Sequence, residues 1–269
     1  MRSKPLIIVK FGGSIISVKD EPKRANLEVI KRLAAEIRDV IHSFNLIIIH
    51  GGGSYGHPYA SKYQLHLGFK DRSQLRGVAE TRMAMEELNY LVVRELVSAG
   101  VPAVSVQSSA CITAKSGEIA EFEVKPIELM LKLGLTPVLY GDVVFDEDLG
   151  FTIISGDKIA SYLAVRFNAS RLIFACDVDG VYTSDPKENP DAELIPEVTV
   201  EEIEVLVSRM STHFGKRFDV TGGIAGKLRE AVKPVSAGID VLIVNGLKPF
   251  NVKRAILGEG VVCTRIVRG

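Results

Sequence analysis

His50-Gly51-Gly52-Gly53-Ser54-Tyr55-Gly56-His57 follows directly on Leu46-Ile47-Ile48-Ile49. The apolar run predicts a buried strand, because a short unbroken stretch of such residues suits a sheet covered on both faces. The glycines predict a loop with almost no side chains, where backbone N–H groups come close to a bound anion. Leu6-Ile7-Ile8-Val9 leads in the same way into Lys10-Phe11-Gly12-Gly13-Ser14. Two strand-to-glycine loops, one carrying Lys10 and the other His57, predict two phosphate groups held facing each other.

Outward from these loops, strand-like and helix-like segments alternate. Leu27, Ile30, Leu33, Ala34, Ile37 and Ile41 recur at helical spacing, and a long helix is predicted over 74–99. Further strands are predicted at 101–106, 136–140, 171–176, 239–244 and 262–267, and helices at 157–168, 223–237 and 250–257. Residues 143–145 and 151–154 flank Asp146-Glu147-Asp148-Leu149-Gly150, which reads as a hairpin turn. The polar stretch 183–197 reads as a long loop. This alternation predicts an α/β fold, a three-layer αβα sandwich with a central, mostly parallel sheet. Ligands of such sheets collect at the carboxyl ends of the strands, where both glycine loops lie. No flexible linker interrupts the chain, so residues 1–269 read as one domain.

Composition narrows the function. Lys plus Arg and Asp plus Glu both number 33, which leaves no overall field for nucleic acid or an anionic membrane. No apolar run approaches the roughly 20 residues of a membrane span, and the stretch after Met1–Lys4 is too short for a signal peptide. Cys111, Cys176 and Cys263 form no C-x-x-C pair and are odd in number. They argue against a zinc site or disulfide framework and for a reducing, cytoplasmic setting.

Several residues admit two readings. Gly51-x-Gly53-x-x-Gly56 has the form of a dinucleotide fingerprint, but the acidic residue required some twenty positions on, at a strand end, is missing: Asp71 lies in a polar stretch. The P-loop pattern is absent. Lys10 either snorkels from a strand end to solvent or, placed before Gly12-Gly13-Ser14, meets a phosphate. His57 either caps the helix ahead of Pro58 or donates to phosphate. His50 reads as structural, and His42, His66 and His213 as surface residues. Asp157, in Ser155-Gly156-Asp157, is either a helix N-cap or a carboxylate that orients phosphate-binding lysines. Asp177-Val178-Asp179-Gly180-Val181-Tyr182 is either an ordinary turn or a set of magnesium or ribose contacts. Asp219-Val220-Thr221-Gly222-Gly223 opens a helix bearing Lys227, which suits an anion or is simply a capped helix.

In order, K-F-G-G-S, H-G-G-G-S-Y-G-H-P, Y-G-D-V, I-S-G-D, D-V-D-G-V-Y-T-x-D-P and D-V-T-G-G-I-x-G-K resemble the amino-acid kinase superfamily, from residue 5 to 267. The histidine that ends H-G-G-G-S-Y-G-H, with V-S-V-Q-S-S-A at 104–110 and Y-G-D-V-V at 140–144, is similar to the isopentenyl phosphate kinases, with fosfomycin-type kinases as neighbours. The resemblance implies transfer of phosphate from ATP, with Mg2+, to isopentenyl phosphate in an archaeal-type mevalonate route. It implies a homodimer with no nucleic-acid or membrane partner. It also implies that residues 1–170 bind the phosphoacceptor and dimerise, and that 171–269 bind ATP.

Carried onto this chain, the resemblance gives Lys10, Gly12, Gly13 and Ser14 the ATP phosphates and Lys19 a share of the transition-state charge. Gly52, Gly53 and His57 hold the acceptor phosphate, with Gly53 also near the nucleotide. Gly156 and Asp157 shape the site, Asp157 orienting Lys10 and Lys227. Asp177, Asp179, Gly180, Tyr182 and Asp185 line the nucleotide pocket, and Gly222, Gly223 and Lys227 approach the β- and γ-phosphates. Val78, Thr81, Val143 and Ile153 face the isoprenoid tail. No protein ligand to the metal is implied. Two departures stand out: Cys176 where threonine is usual, and the small Val78 where the family often carries a bulky aromatic, which widens the tail pocket toward longer chains. Two other readings are a kinase of another small phosphate or phosphonate, such as fosfomycin, and a silent nucleotide-binding protein of the same fold.

Overall fold

The two apolar runs become β1 (Leu6–Phe11) and β2 (Asn45–His50), paired in parallel. The structure is a computed structural model that describes residues 4–19, 21–186, 188–213 and 223–269, with the backbone alone for 210–213. Between the two strands lie α1 (Gly13–Ile16) and α2 (Leu27–Arg38). Next come α3 (Gly53–Lys62), α4 (Ser73–Ser98), β3 (Ala103–Ser105), α5 (Ser108–Cys111), β4 (Ile112–Lys115), β5 (Glu118–Phe122) and α6 (Lys125–Lys132). β6 (Thr136–Tyr140) returns to the main sheet, ahead of β7 (Asp142–Asp146) and β8 (Gly150–Ile154). Then follow α7 (Gly156–Arg166), β9 (Arg171–Cys176), the short strands β10 (Val181–Tyr182) and β11 (Leu194–Ile195), β12 (Glu197–Thr199) and α8 (Ile203–His213). The chain closes with α9 (Ile224–Ser236), β13 (Asp240–Asn245), α10 (Asn251–Leu257) and β14 (Cys263–Val267).

Eight strands form the central sheet in the order β12-β14-β13-β9-β1-β2-β6-β3. Every neighbouring pair is parallel except β13 and β14. Because β1 pairs with both β2 and β9, the sheet runs unbroken across residue 170.

Side chains alternate between the faces of a strand, and that alternation builds two cores. Ile7, Val9, Phe11, Leu46 and Ile48 pack under α2, α4 and α10. Ile8, Ile47 and Ile49 pack under α7 and α9. Lys10 shares the phase of Ile8 and so points toward α7 and α9. His50 shares the phase of Leu46 and Ile48 and points toward α4. Which partner each polar residue meets is therefore settled by the register of two apolar runs.

Four sequence-based expectations change. The glycine loop is shorter than predicted: α3 begins at Gly53, so Ser54 to His57 are helical. The hairpin of β7 and β8 belongs to a separate four-stranded sheet, β5-β4-β7-β8, whose strands β4 and β5 the sequence did not announce. They are short, and a tight turn with Ser116 and Gly117 at positive φ joins them. The stretch 183–197 is not wholly loop, since Leu194–Ile195 pairs antiparallel with Val181–Tyr182. The helix α8 was also unforeseen. Gly222, with Asp219, Val220 and Thr221, lies outside the described residues.

Candidate active site

Two glycine loops touch at the carboxyl ends of β1 and β2. A Cβ on Gly13 would collide with the backbone of Gly53, and one on Gly51 would come 2.9 Å from the Gly13 nitrogen. Gly53 has φ +47°, where a side chain is strained, and a Cβ there would also strike Ser17 and Gly13. Ser17 ties the loops together: its Oγ donates to Gly13 O at 2.8 Å and accepts from the Ser54 N–H at 2.9 Å. A cradle that any Cβ would fill suits phosphate oxygens, which need close backbone N–H groups.

Lys10 lies below this cradle. Its ammonium is 2.8 Å from Asp157 Oδ1, and Lys227 Nζ is 3.4 Å from Asp157 Oδ2. All three residues are buried, at 5 %, 3 % and 5 % exposure for Lys10, Asp157 and Lys227. The snorkelling reading of Lys10 is therefore excluded. Asp157 is not the N-cap either: Ser155 caps α7, its Oγ accepting from the Lys158 N–H. Burial opposes ionisation of Asp157, but Lys10 and Lys227 outweigh it and hold the carboxyl below its usual range. Burial, reinforced by the Lys227 charge, lowers the Lys10 ammonium against the pull of Asp157. Two ammonium groups around one carboxylate make a site that a further anion stabilises.

Gly156 begins α7 against β2, where a Cβ would lie 2.8 Å from the His50 carbonyl oxygen. His57 is exposed on α3, one turn beyond Gly53. Lys19 is exposed beyond α1, outside the buried triad. Gly12 lies against β9, a Cβ there falling 2.9 Å from Ala175 O. Ser14 Oγ donates to Asp177 Oδ1 at 3.0 Å, which joins the first glycine loop to the end of β9. Asp179 accepts from the Tyr182 hydroxyl at 3.1 Å and pairs with Lys248 Nζ at 2.7 Å. Gly180 is packed so closely on Thr264 that no side chain fits. Asp185 lies in the turn after β10, where its carbonyl accepts from the Asn189 N–H. Gly223 precedes α9, and its carbonyl accepts from the Lys227 N–H.

Val78 and Val143 belong to a small apolar cluster with Leu65 and Phe151, and Ala60, Tyr63 and Ile153 pack against it. Thr81 is buried one turn further along α4, with no partner for its Oγ1 among the described residues. Met85, another turn on, puts its sulfur against Gly52 and Gly56. One face of α4 thus runs from the apolar cluster to the second glycine loop. From Val78 to Met85 is about 10 Å at 1.5 Å per residue.

Sequence reasoning missed Ser17, Met85, Asn89, Lys248 and the aromatics Tyr63 and Phe151. Two of these left a signal. Ser17 stands four residues after Gly13, one helical turn on. Asn89 is a polar residue in the apolar phase of α4, between Leu88 and Val92.

An α/β sheet whose strand ends present two facing glycine loops over a buried lysine pair defines a phosphate-handling protein. The chain belongs to the amino acid kinase family, whose family model matches residues 5–245. It is 40% identical to an isopentenyl phosphate kinase of Methanothermobacter thermautotrophicus, over 97% of this chain and 98% of that one. It is 34% identical to an isopentenyl phosphate kinase of Methanocaldococcus jannaschii, over 94% and 96%. Among solved structures, one of an isopentenyl phosphate kinase superposes with a TM-score of 0.83 at 36% identity, covering 97% of this chain and all of that one.

Proposed function

We propose that the chain transfers the γ-phosphoryl group of ATP to isopentenyl phosphate, giving isopentenyl diphosphate and ADP with Mg2+. The observation that carries this reading is the contact of the two glycine loops above Lys10, Asp157 and Lys227, with an apolar cluster beside the second loop. A phosphate head and an apolar tail ask for that pair of surroundings. The names of the relatives matched over nearly the whole chain support it.

Both reactants are anions, so repulsion is the main obstacle, and phosphoryl transfer asks chiefly for positioning and charge neutralisation. Lys10 and Lys227 offset the charge on the transferring group, held in place by Asp157. Gly12, Gly13 and Ser14 face the ATP phosphates, and Lys19 adds charge from the rim. Gly52, Gly53, Gly156 and His57 hold the acceptor phosphate. No catalytic base is required, because the attacking phosphate oxygen is already deprotonated. Asp177, Asp179, Tyr182 and Asp185 lie toward the nucleotide, with Gly180 setting their turn and Gly222 and Gly223 leading to Lys227. No group of three His, Cys, Asp or Glu suited to a metal occurs among the described residues. A Mg2+ bound mainly by nucleotide phosphates and water needs no such cage. When bound, it would add to the charge neutralisation that Lys10 and Lys227 provide.

The acceptor half is assigned to about 1–170 and the ATP half to about 171–269. A homodimer is proposed, supported by Met83, Tyr90 and Val97, exposed apolar residues seven apart on α4. No described helix is long and apolar enough to cross a membrane, and the cysteine pattern supports a cytoplasmic site of action. The test is a steady-state screen of small monophosphates and phosphonates with ATP and Mg2+, read by ADP release. The reading requires isopentenyl phosphate to give the highest kcat/KM. Faster turnover of fosfomycin would replace it with the phosphonate kinase reading, and no turnover at all with a silent binder.

A further inference from the structure

We infer that His50 is a positioning residue for the acceptor loop, held as the neutral Nδ1–H tautomer by a buried relay through Asn89 to Ser105. The assignment of the loop to the acceptor rests on the proposed function; the relay itself rests on geometry alone.

His50 Nδ1 lies 3.0 Å from the carbonyl oxygen of Gly51, and Nε2 lies 3.1 Å from Asn89 Nδ2. Asn89 Oδ1 in turn accepts from the Ser105 hydroxyl. A carbonyl oxygen can only accept, so Nδ1 must carry a proton. In a neutral ring Nε2 is then an acceptor, so Asn89 must present its amide nitrogen to it and its oxygen to Ser105. One fixed acceptor at Gly51 thus sets every polarity in the chain. His50 is fully buried, and its ring stacks on Tyr140 with centroids 5.4 Å apart. The titratable group facing it is Tyr140 on β6, α4 offers the uncharged Asn89, and the Lys10 charge acts from the opposite face of the sheet. Burial, assisted by the Lys10 charge, lowers the imidazole to about 4, so it stays neutral through the working range.

The consequence reaches the site through a single peptide. In a trans peptide the C=O and the following N–H point in opposite directions. Holding the Gly51 carbonyl inward on His50 therefore turns the Gly52 N–H outward, on the side away from the ring. Neither Gly52 nor Gly53 donates its N–H to another backbone group among the described residues. The same residue also props the opposite wall: its carbonyl accepts from the Gly141 N–H at 3.1 Å and lies against Gly156. Glycine loops lack side chains to hold their own peptides, so their orientation must come from such a post beneath them.

The test reads tautomer and kinetics separately. Long-range 15N–1H NMR on ring-labelled protein without substrate should show His50 protonated at Nδ1 only, unchanged from pH 8 to pH 5. An Nε2–H ring, or titration between pH 6 and 7, overturns the relay whether or not the protein is a kinase. Asn89→Leu removes the partner of Nε2. It should raise KM for isopentenyl phosphate severalfold, up to about tenfold where the whole of one buried hydrogen bond serves to hold the loop peptide, and leave KM for ATP within about twofold. Asn89→Asp can only accept, so it should convert His50 to the imidazolium at pH 7. It should also recover part of the lost acceptor affinity, since the Nδ1–H bond survives. An Asn89→Leu variant whose KM rises for ATP instead overturns the assignment. Should Asn89→Leu fail to fold, Ser105→Ala, which frees the Asn89 amide to turn, carries the same two readouts. Absence of turnover by the wild type on every monophosphate would refute the proposed function while leaving the NMR result standing.

Discussion

Single residues at the site combine burial with charge, and their substitutions have separable effects. His57 is exposed on α3, so His57→Ala should keep its thermal midpoint while losing roughly 10²–10³ in turnover, the usual effect of losing a donor to developing charge. A variant with near-wild-type kcat/KM for isopentenyl phosphate would remove His57 from the site. Lys10→Met and Lys227→Met keep much of the side-chain volume and remove the charge. Because the charge they meet grows in the transition state, the loss should fall on kcat by a similar factor. Normal kcat with weakened acceptor affinity in both variants would show that neither lysine serves the nucleotide side. Stability against pH has two opposed contributors. Burial lowers His50 from 6.5 to about 4, so its contribution is complete above pH 6.5 and is lost as pH falls toward 4. Between pH 7 and 5 that amounts to about 2 kcal/mol. Burial raises Asp142 from 3.8 to about 6, so its carboxylate costs stability at neutral pH, and the cost is relieved as pH falls through 6. Relief over the same interval is about 1 kcal/mol. Asp142→Asn should therefore lose stability more steeply than wild type from pH 7 to 5 in urea titrations; parallel profiles would contradict the shift.

At the scale of elements, α4 links the apolar cluster proposed to hold the tail, the second glycine loop and His50 along one face through Val78, Thr81, Met85 and Asn89. Its Gly77 exists because the Tyr63 ring presses on the helix there. Phe151 shares the cluster of the small Val78 and Tyr63 packs against it, so these aromatics are proposed to bound the tail pocket together with Val78. Each extra methylene that finds room contributes about 0.8 kcal/mol, and one without room costs stability. Val78→Phe should reduce kcat/KM for geranyl phosphate more than for isopentenyl phosphate, and Phe151→Ala should do the reverse. If neither variant changes the ratio of the two, this face of α4 does not set the depth of the pocket.

For the whole molecule, the unbroken eight-stranded sheet carries both glycine loops at the same edge, so the proposed acceptor and nucleotide halves would share one support. The outer face of α4 is the unusual surface, with Met83, Tyr90 and Val97 at 66 %, 65 % and 54 % exposure. Apolar residues at heptad spacing on a long helix match a helix from a second copy. Sedimentation equilibrium should show a dimer at micromolar concentration for wild type and a monomer for Met83→Glu with Tyr90→Glu. A monomeric wild type would refute the homodimer, and a dimeric double variant would move the interface elsewhere.

The sequence alone determined the α/β class, the two glycine loops at strand ends, and the identity of Lys10, Asp157 and Lys227 as residues to watch. These are local signals: an apolar run of four, a cluster of glycines, a charge beside them. It did not reveal β4 and β5, which are too short and polar to rise above their turn, nor the start of α3 inside a glycine run. The resemblance already implied that Asp157 orients Lys10 and Lys227; only the tertiary structure showed that the three charges are in contact and buried. That convergence depends on β9 and β2 flanking β1, and on the two-residue period that sends Lys10 toward α7 and α9. The same period sends His50 to the opposite core, onto Asn89. Strand order and facing are properties of long-range pairing, and no window of the chain contains both partners.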